Sequence, residues 1–260
     1  MAKHSTNTSR IDKLIPILLY VLAGVLLLAV ITTVIIKVLP QKHKVEERYI
    51  NDTTKPVGEG ELPINPRNFD NIQADHEDVC AWIKFDCLDI DYEIVRAGEN
   101  KDNEYYLRRD LDGNYSTAGT IFIQKMNNID FNDNCTVVYG HNMTNLTMFG
   151  KLKYFRDKEF FDQNPYFEIY TPGHIFKYEI KSAFVYDDRH LNNSFNNFAD
   201  EVSFMKFAEE ASNPQSLVKN VREDLEIKWG DKLVVLSTCT NYDPERYLVV
   251  AKRIEDIKTQ

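Results

Sequence analysis

Two stretches near the C-terminal end decide the fold: Leu233–Cys239, LVVLSTC, and Arg246–Ala251, RYLVVA. The first begins with an uninterrupted apolar run, which is typical of a central β-strand that is buried on both faces. A turn signal, Asp243-Pro244, lies between the two stretches. If the stretches pair as antiparallel strands, the end of the first lies beside the start of the second. We therefore expect Cys239 and Arg246 to be neighbours at one rim of a sheet.

Further short apolar stretches, separated by turn signals, predict that the domain is mainly β. Because alternating βαβ units would need longer helices between the strands, this spacing favours a closed β structure. Helical insertions are few: a short one at Asn103–Arg108 and a longer one at residues 197–211. In the longer one Phe198, Val202 and Met205 recur at helical spacing, while Phe204 and Phe207 fall off that stripe. This pattern leaves open a helix that is covered on more than one side and one that packs on a partner. The predicted strands are Val79–Phe85, Ile90–Val95, Thr120–Gln124, Cys135–Tyr139, Ile175–Tyr186, Lys232–Ser237 and Tyr247–Arg253.

The N-terminal segment predicts a membrane anchor. Leu14–Ile36 holds 23 residues without a charge, and as a helix this run is about 34 Å long, enough for a hydrocarbon core of roughly 30 Å. A cleaved signal peptide is the alternative, but its apolar region is usually shorter, and no small-residue cleavage pattern follows here. Basic residues flank the run on both sides, so the charge rule leaves its orientation open. A short tail and a large following domain favour the tail inside and the domain outside.

These observations divide the chain into four parts. Residues 1–13 are the predicted cytoplasmic tail, 14–39 the transmembrane signal anchor, 40–66 an extracellular linker rich in proline, glycine and charges, and 67–260 the large domain that follows. We also expect a short helix at Lys42–Arg48 within the linker.

Composition excludes several classes of function. The 260 residues carry a net charge of −9, which disfavours nucleic acid as a partner because phosphate binding needs a basic surface. No zinc spacing and no EF-hand pattern occurs, so we expect no metal and no cofactor. Cys80, Cys87 and Cys135 fall in a domain predicted to be extracellular, where disulfide pairing is one alternative; burial preference instead favours reduced, buried thiols.

A third strand brings a histidine into the argument. Cys135–Tyr139 is followed directly by Gly140 and His141. A cysteine thiolate, an imidazole and a guanidinium at one rim suit acyl transfer, because the thiolate attacks, the imidazole moves protons and the guanidinium stabilises an oxyanion. Each residue also has a structural interpretation, as a buried thiol, a turn residue or a surface charge. The sequence leaves open whether the strand before His141 reaches the rim of Cys239 and Arg246.

At these positions the chain resembles the sortases. Tyr139–Met143, YGHNM, is similar to their histidine motif, Val235–Cys239, VLSTC, to their cysteine motif, and Arg246–Val250, RYLVV, to their arginine strand. Gln124 stands where sortases often have Asp, and Glu93 where Pro is frequent. The resemblance covers roughly residues 68–255. Further matches point to class B; they are Ala81–Ile83, Ile90–Tyr92, Asp102–Leu107 and Gly119–Phe122.

The resemblance implies an eight-stranded sortase-type closed barrel with a few helical insertions, anchored in a bacterial cell membrane by one transmembrane helix with the catalytic domain outside. It implies a cysteine transpeptidase that cleaves a C-terminal sorting signal, Asn-Pro-x-Thr-like, after Thr. Cys239 is then the nucleophile, His141 the general acid and base, and Arg246 the group that stabilises the oxyanion and positions the substrate. Ser237 matches a class B position near the substrate, with hydrogen bonding to local backbone groups as its alternative role. Thr238 is a second candidate for contact with the substrate, with a structural role as the favoured alternative.

The implied partners are sorting signals of secreted surface proteins and an amine of a peptidoglycan precursor or a lysine side chain. A pilin-polymerising sortase is therefore one alternative. A cysteine hydrolase that uses water at the same site is another, and a non-catalytic adhesin or assembly module is a third, disfavoured by the complete set of Cys, His and Arg.

Overall fold

A computed structural model describes residues 8–38, 44–54, 57–187, 189–239 and 245–260, with side chains for these residues except 8–13, 33–38 and 239. The chain forms two compact units, residues 1–40 and residues 41–260.

The first unit is a single helix, α1, which spans Thr8–Val38. Its segment Leu14–Thr32 has a mean hydropathy of 2.9. Among the described residues this is the one helix whose length and composition would allow it to cross a membrane. The predicted anchor at residues 14–39 overlaps α1, and residue 39 falls outside the described part of the chain.

The described residues of the second unit contain the strands and four short α-helices. The helices are α2 Phe69–Asp75, α3 Lys158–Gln163, α4 Leu191–Ser194 and α5 Glu201–Ser212. The strands are β1 Val79–Phe85, β2 Ile90–Arg96, β3 Ile121–Ile123, β4 Cys135–Tyr139, β5 Tyr166–Thr171, β6 His174–Tyr186, β7 Lys219–Val221, β8 Leu233–Cys239 and β9 Arg246–Lys258.

The strands close into a barrel. Their order is β5-β1-β2-β3-β4-β8-β9-β6, and β6 pairs with β5 to complete the ring, while the short β7 pairs with the last part of β6. The predicted closed barrel of eight strands is confirmed. Most neighbours are antiparallel, but β2 with β3 and β4 with β8 are parallel. The strands β5 and β7 were not predicted, because β5 is short and lies between two turn signals and β7 has three residues.

Strand β8 explains why its apolar run is uninterrupted. Val234 and Leu236 belong to the core inside the barrel, together with stacked rings such as Phe85 and Phe167, whose centroids are 5.0 Å apart. Leu233 and Val235 belong to a second core on the outer side of the sheet. Both faces of the strand are therefore buried, as the sequence predicted.

Helix α5 covers that outer core, but with a different face from the predicted one. Val202 is 80 % exposed and Met205 is 36 % exposed, so the predicted stripe is wrong at both positions. The helix instead begins at residue 201 behind its N-cap Asp200, because Asn197 has a positive φ of 52° that interrupts the predicted helix. The buried face consists of Phe204, Phe207, Ala208 and Ala211.

Part of the predicted linker packs against the barrel. Tyr49 is 2 % exposed, and its hydroxyl donates a hydrogen bond to Asp75 at 2.7 Å. The side-chain amide of Asn65 donates a hydrogen bond to the carbonyl of Thr171 in β5 at 3.0 Å. The boundary at residue 67 stays a prediction, but contacts with the barrel begin upstream of it. The predicted helix at residues 42–48 lies partly outside the described residues, and a short 3-10 turn at Glu47–Tyr49 occupies its end.

Cys80, Cys87 and Cys135 are free thiols in the described part of the chain. Cys80 and Cys135 are buried as expected, and burial raises the pKa of Cys80 to about 12. The expectation of burial is wrong for Cys87, which is exposed because it lies in the turn Asp86–Leu88 at the end of β1.

Candidate active site

The ladder between β8 and β9 places Cys239 directly opposite Arg246. The two strands pair in antiparallel register from Leu233 with Lys252 to Cys239 with Arg246. This last pair stands at the rim of the barrel. Cys239 and Arg246 are therefore held opposite each other by an uninterrupted ladder of strand pairs.

The parallel ladder between β4 and β8 brings His141 to the same rim. Tyr139 pairs with Ser237, and the Gly140 N–H extends the ladder by donating to the Ser237 carbonyl at 3.1 Å. Because the strands run in the same direction, positions 141 and 239 are level with each other. The structure therefore places the three backbone positions 141, 239 and 246 at one end of three neighbouring strands.

The His141 imidazole is held by a backbone carbonyl. Its Nε2 lies 2.7 Å from the carbonyl oxygen of Leu107, in the 3-10 turn Tyr105–Arg108. A carbonyl oxygen can only accept a hydrogen bond, so Nε2 is the donor. Gly140, the residue before His141, lies tightly against the fully buried Phe149. A Cβ on Gly140 would be 2.6 Å from Phe149 Cδ2.

A cavity of about 520 Å³ opens beside these residues. It contains charges of both signs from its acidic and basic side chains. Burial raises the pKa of the Tyr139 phenol, and the positive charge of the nearby Arg246 guanidinium partly offsets this rise. The lining includes Glu104, Leu107, Arg108, Phe122, Gln124, Tyr139, His141, Tyr186, Arg189, His190, Ser237, Thr238, Glu245 and Arg246.

Ser237 and Thr238 both line this cavity and are each 4 % exposed. The buried Oγ1 of Thr238 has no hydrogen-bond partner among the described residues. An unpaired buried hydroxyl costs about 1–3 kcal/mol. A ligand that supplied a donor or acceptor to it would recover part of that energy.

The structure adds two polar groups to which the sequence gave no role. Gln124 is 5 % exposed, and its Oε1, like the hydroxyl of Tyr139, is buried and unpaired within the described part of the molecule. Both residues line the cavity. The sequence could have indicated these residues by their positions, because Gln124 follows β3 and Tyr139 ends β4. The ends of β3, β4, β8 and β9 surround the cavity.

The described residues contain no group of three or more His, Cys, Asp and Glu side chains placed to hold a metal ion. The groups that surround the cavity instead suit acid–base and nucleophilic chemistry, since imidazole, guanidinium, hydroxyl and carboxamide groups all reach it.

Comparison with known proteins agrees with this geometry. The family model of the sortase domain matches residues 83–254. The crystal structure of Clostridium perfringens sortase B is 31 % identical, with a TM-score of 0.65, over 72 % of this chain and 100 % of that one. Sortase B of Listeria monocytogenes is 29 % identical over 213 residues, which is 79 % of this chain and 80 % of the relative. A Staphylococcus aureus sortase B–substrate complex, 23 % identical over 72 % of this chain and 84 % of that one, shares the fold with a TM-score of 0.62.

The matched region contains all three motif positions together with the strands that carry them. The chain therefore belongs to the sortase family, among its class B members, and is a cysteine transpeptidase with a role in cell-wall anchoring.

Proposed function

We propose that this protein cleaves a C-terminal sorting signal of the Asn-Pro-x-Thr type after Thr and transfers the surface protein to an amine of a cell-wall precursor. The observation that carries this proposal is the pair of strand registers that sets Cys239 opposite Arg246 and level with His141. The class B relatives support the same chemistry.

In the first half of the reaction, the thiolate of Cys239, whose proton His141 has taken, attacks the carbonyl carbon of the Thr residue. A C–S bond forms, and the carbonyl oxygen becomes an oxyanion, which the guanidinium of Arg246 stabilises by hydrogen bonds and charge. When the intermediate collapses, the C–N bond breaks and His141 gives a proton to the leaving amine. The product of this half is a thioester between Cys239 and the Thr carbonyl.

In the second half, an amine replaces the departed peptide. His141, now neutral, takes a proton from the amine as its nitrogen attacks the thioester carbon, and Arg246 stabilises the second oxyanion. The C–S bond then breaks and the thiolate of Cys239 leaves. The product is an amide that joins the surface protein to the acceptor.

Arg246 suits this role because its charge persists at any relevant pH and its planar group offers several donors at fixed angles. A Lys at this position keeps the charge but has a single ammonium group. We expect Arg246→Lys to reduce kcat/KM by about a hundred-fold, the scale of losing one oxyanion donor. Near-full activity of this variant would contradict the role of the guanidinium.

Ser237 and Thr238 are proposed to contact the sorting signal from the cavity wall, where both are almost fully buried. The unpaired Oγ1 of Thr238 then has a partner in the complex.

We further propose that α1 is a single-pass signal anchor in the bacterial cell membrane, with residues 1–13 in the cytoplasm and the catalytic domain outside. The long apolar segment supports the anchor. Protease added to intact cells should degrade the catalytic domain; full protection in intact cells with degradation only after lysis would reverse the orientation.

The transpeptidation experiment mixes the full chain in detergent with an Asn-Pro-x-Thr-containing peptide and an added amine, and follows the products by mass spectrometry. An adduct on Cys239 followed by an amide product supports the proposal, and Cys239→Ala should form neither. If free acid is the sole product at high amine concentration, the protein is a hydrolase of the same site. If a pilin lysine is the one amine accepted, it is a pilin-polymerising sortase.

A further inference from the structure

We propose that a cluster of Asp78, Lys101 and Tyr106 positions the His141 imidazole through the carbonyl of Leu107, so that Nε2 keeps its proton and Nδ1 exchanges protons with the substrate. The inference rests on the proposed role of His141 and goes one step further, because it assigns the two ring nitrogens and names the residues that set them.

The assignment of the nitrogens follows from one contact. Nε2 of His141 is 2.7 Å from the Leu107 oxygen, and a carbonyl can only accept. In a neutral imidazole one nitrogen carries the proton, and the hydrogen bond made by one nitrogen determines the state of the other. Nδ1 is therefore the nitrogen with a free lone pair, available to receive and return the proton of an amine.

The Leu107 carbonyl can do this only if its turn is fixed. The Leu107 N–H donates to the backbone carbonyl of Glu104 at 2.8 Å, and the Thr120 N–H donates to the backbone carbonyl of Tyr106 at 3.0 Å. Gly119 has a φ of +59°, and a Cβ there would be 2.4 Å from the Leu107 oxygen and 2.7 Å from the Tyr106 oxygen. The absence of a side chain at Gly119 thus lets the next strand segment approach the two carbonyls closely.

The cluster pins the same turn from the other side. The Tyr106 hydroxyl donates to Asp78 Oδ2 at 2.6 Å, and Lys101 Nζ donates to the same oxygen at 2.5 Å. Tyr106 is 4 % exposed and the Asp78 side chain 9 %. Hydrogen bonds in which one partner is ionised are the stronger kind. Asp78 lies directly before β1, and Tyr106 lies directly before Leu107. The hydrogen bond between Tyr106 and Asp78 therefore ties the turn that contacts His141 to the start of β1.

A purely structural role for the cluster is the competing interpretation, and the chain offers a matched control for it. Tyr49 is also a buried tyrosine whose hydroxyl donates to an aspartate, Asp75, at 2.7 Å. Both tyrosines belong to the same apolar cluster. Tyr49→Phe and Tyr106→Phe therefore remove the same kind of hydrogen bond, but only Tyr106 is adjacent to Leu107.

The kinetic test compares the two variants in the full chain. We expect Tyr106→Phe to lower kcat about ten-fold through misplacement of the imidazole, with KM for the sorting peptide unchanged within about two-fold. Tyr49→Phe should keep the wild-type kcat, while both variants should shift the urea midpoint by similar amounts. Equal kcat values for the two variants, or a loss that tracks the loss of stability, would overturn the proposal.

The spectroscopic test does not depend on turnover. Full-length Cys239→Ala protein, labelled with ¹⁵N-histidine, should show a His141 ring proton on Nε2 that exchanges slowly with water, assigned among the six histidines by its loss in a His141→Gln variant. Adding Tyr106→Phe should speed that exchange, and adding Tyr49→Phe should not. A proton on Nδ1 alone in the neutral ring would refute the assignment. If a His141 variant proved fully active, the proposed function would fail, while the ring spectrum would still decide this inference.

Discussion

The contact between Gly140 and Phe149 permits a sharp test of how the barrel positions His141. The perturbation is Gly140→Ala, which adds one methyl group. That carbon would lie 2.6 Å from Phe149 Cδ2 and 2.8 Å from Cγ, whereas nonbonded carbons prefer about 3.5–4.0 Å. Either the ring or the backbone must therefore move by roughly 1 Å.

Both movements have a cost. Phe149 is fully buried, so displacing its ring overpacks the core at about 1–3 kcal/mol. If the backbone moves instead, it carries His141 with it, and a shift of about 1 Å at a reacting group can reduce the rate by about 100-fold. We expect both effects in part: a free energy of unfolding lower by about 1–2 kcal/mol and a kcat at least about ten-fold lower.

The assay combines urea unfolding of the full chain in detergent with the rate of amide formation from peptide and amine. The double variant Gly140→Ala/Phe149→Leu separates the causes, because the smaller side chain makes room for the methyl group. We expect a favourable coupling of about 0.5–3 kcal/mol between the two changes, together with partial recovery of kcat. A Gly140→Ala protein with wild-type stability and rate would refute this account of how the site is supported.

Three further predictions concern the rest of the domain. Phe204→Ala should lower the free energy of unfolding by about 3–5 kcal/mol, while Val202→Ala on the exposed face should change it by less than about 0.5 kcal/mol; similar urea midpoints would contradict the observed orientation of α5. Burial opposes ionisation of Asp78, but hydrogen bonds from its partners outweigh this and hold its pKa below the ordinary 3.8. Its contribution to stability is therefore present above about pH 4 and lost as the pH falls through the lowered pKa, so urea midpoints should decline in acid less steeply for Asp78→Asn than for wild type. In a Cys239→Ala background, maleimide should label the exposed Cys87 well before Cys80, whose thiol is buried; equal labelling rates in the folded protein would contradict this.

The barrel and its rim could be predicted because their signals are local. The apolar run in β8 and the one in β9 mark strands that are buried on one or both faces, and antiparallel pairing of such neighbours follows from the short connection between them. The position of Cys239 opposite Arg246 required no knowledge of distant contacts. The position of His141 required the parallel register between β4 and β8, which the sequence does not encode in any local pattern.

Other features depended on tertiary contacts that no local pattern reveals. Helical spacing alone predicted a buried face through Val202. The helix instead begins after its N-cap Asp200 and buries the face that contains Phe204 and Phe207. Tyr49 lies in a segment whose composition is that of a linker, yet its buried ring and the hydrogen bond from its hydroxyl help to attach that segment to the domain. The carbonyl of Leu107 has no side-chain signature, so its contact with His141 was invisible before the structure.

The ladder that joins β8 and β9 also affects how such enzymes can diversify. Because strand pairing, rather than the connecting segment, sets positions 239 and 246 against each other, insertions or deletions between them need not disturb this pairing. A slip of one residue in the ladder, by contrast, would turn an entire strand over. The connection can therefore change in length and sequence, while positions 239 and 246 stay opposite each other.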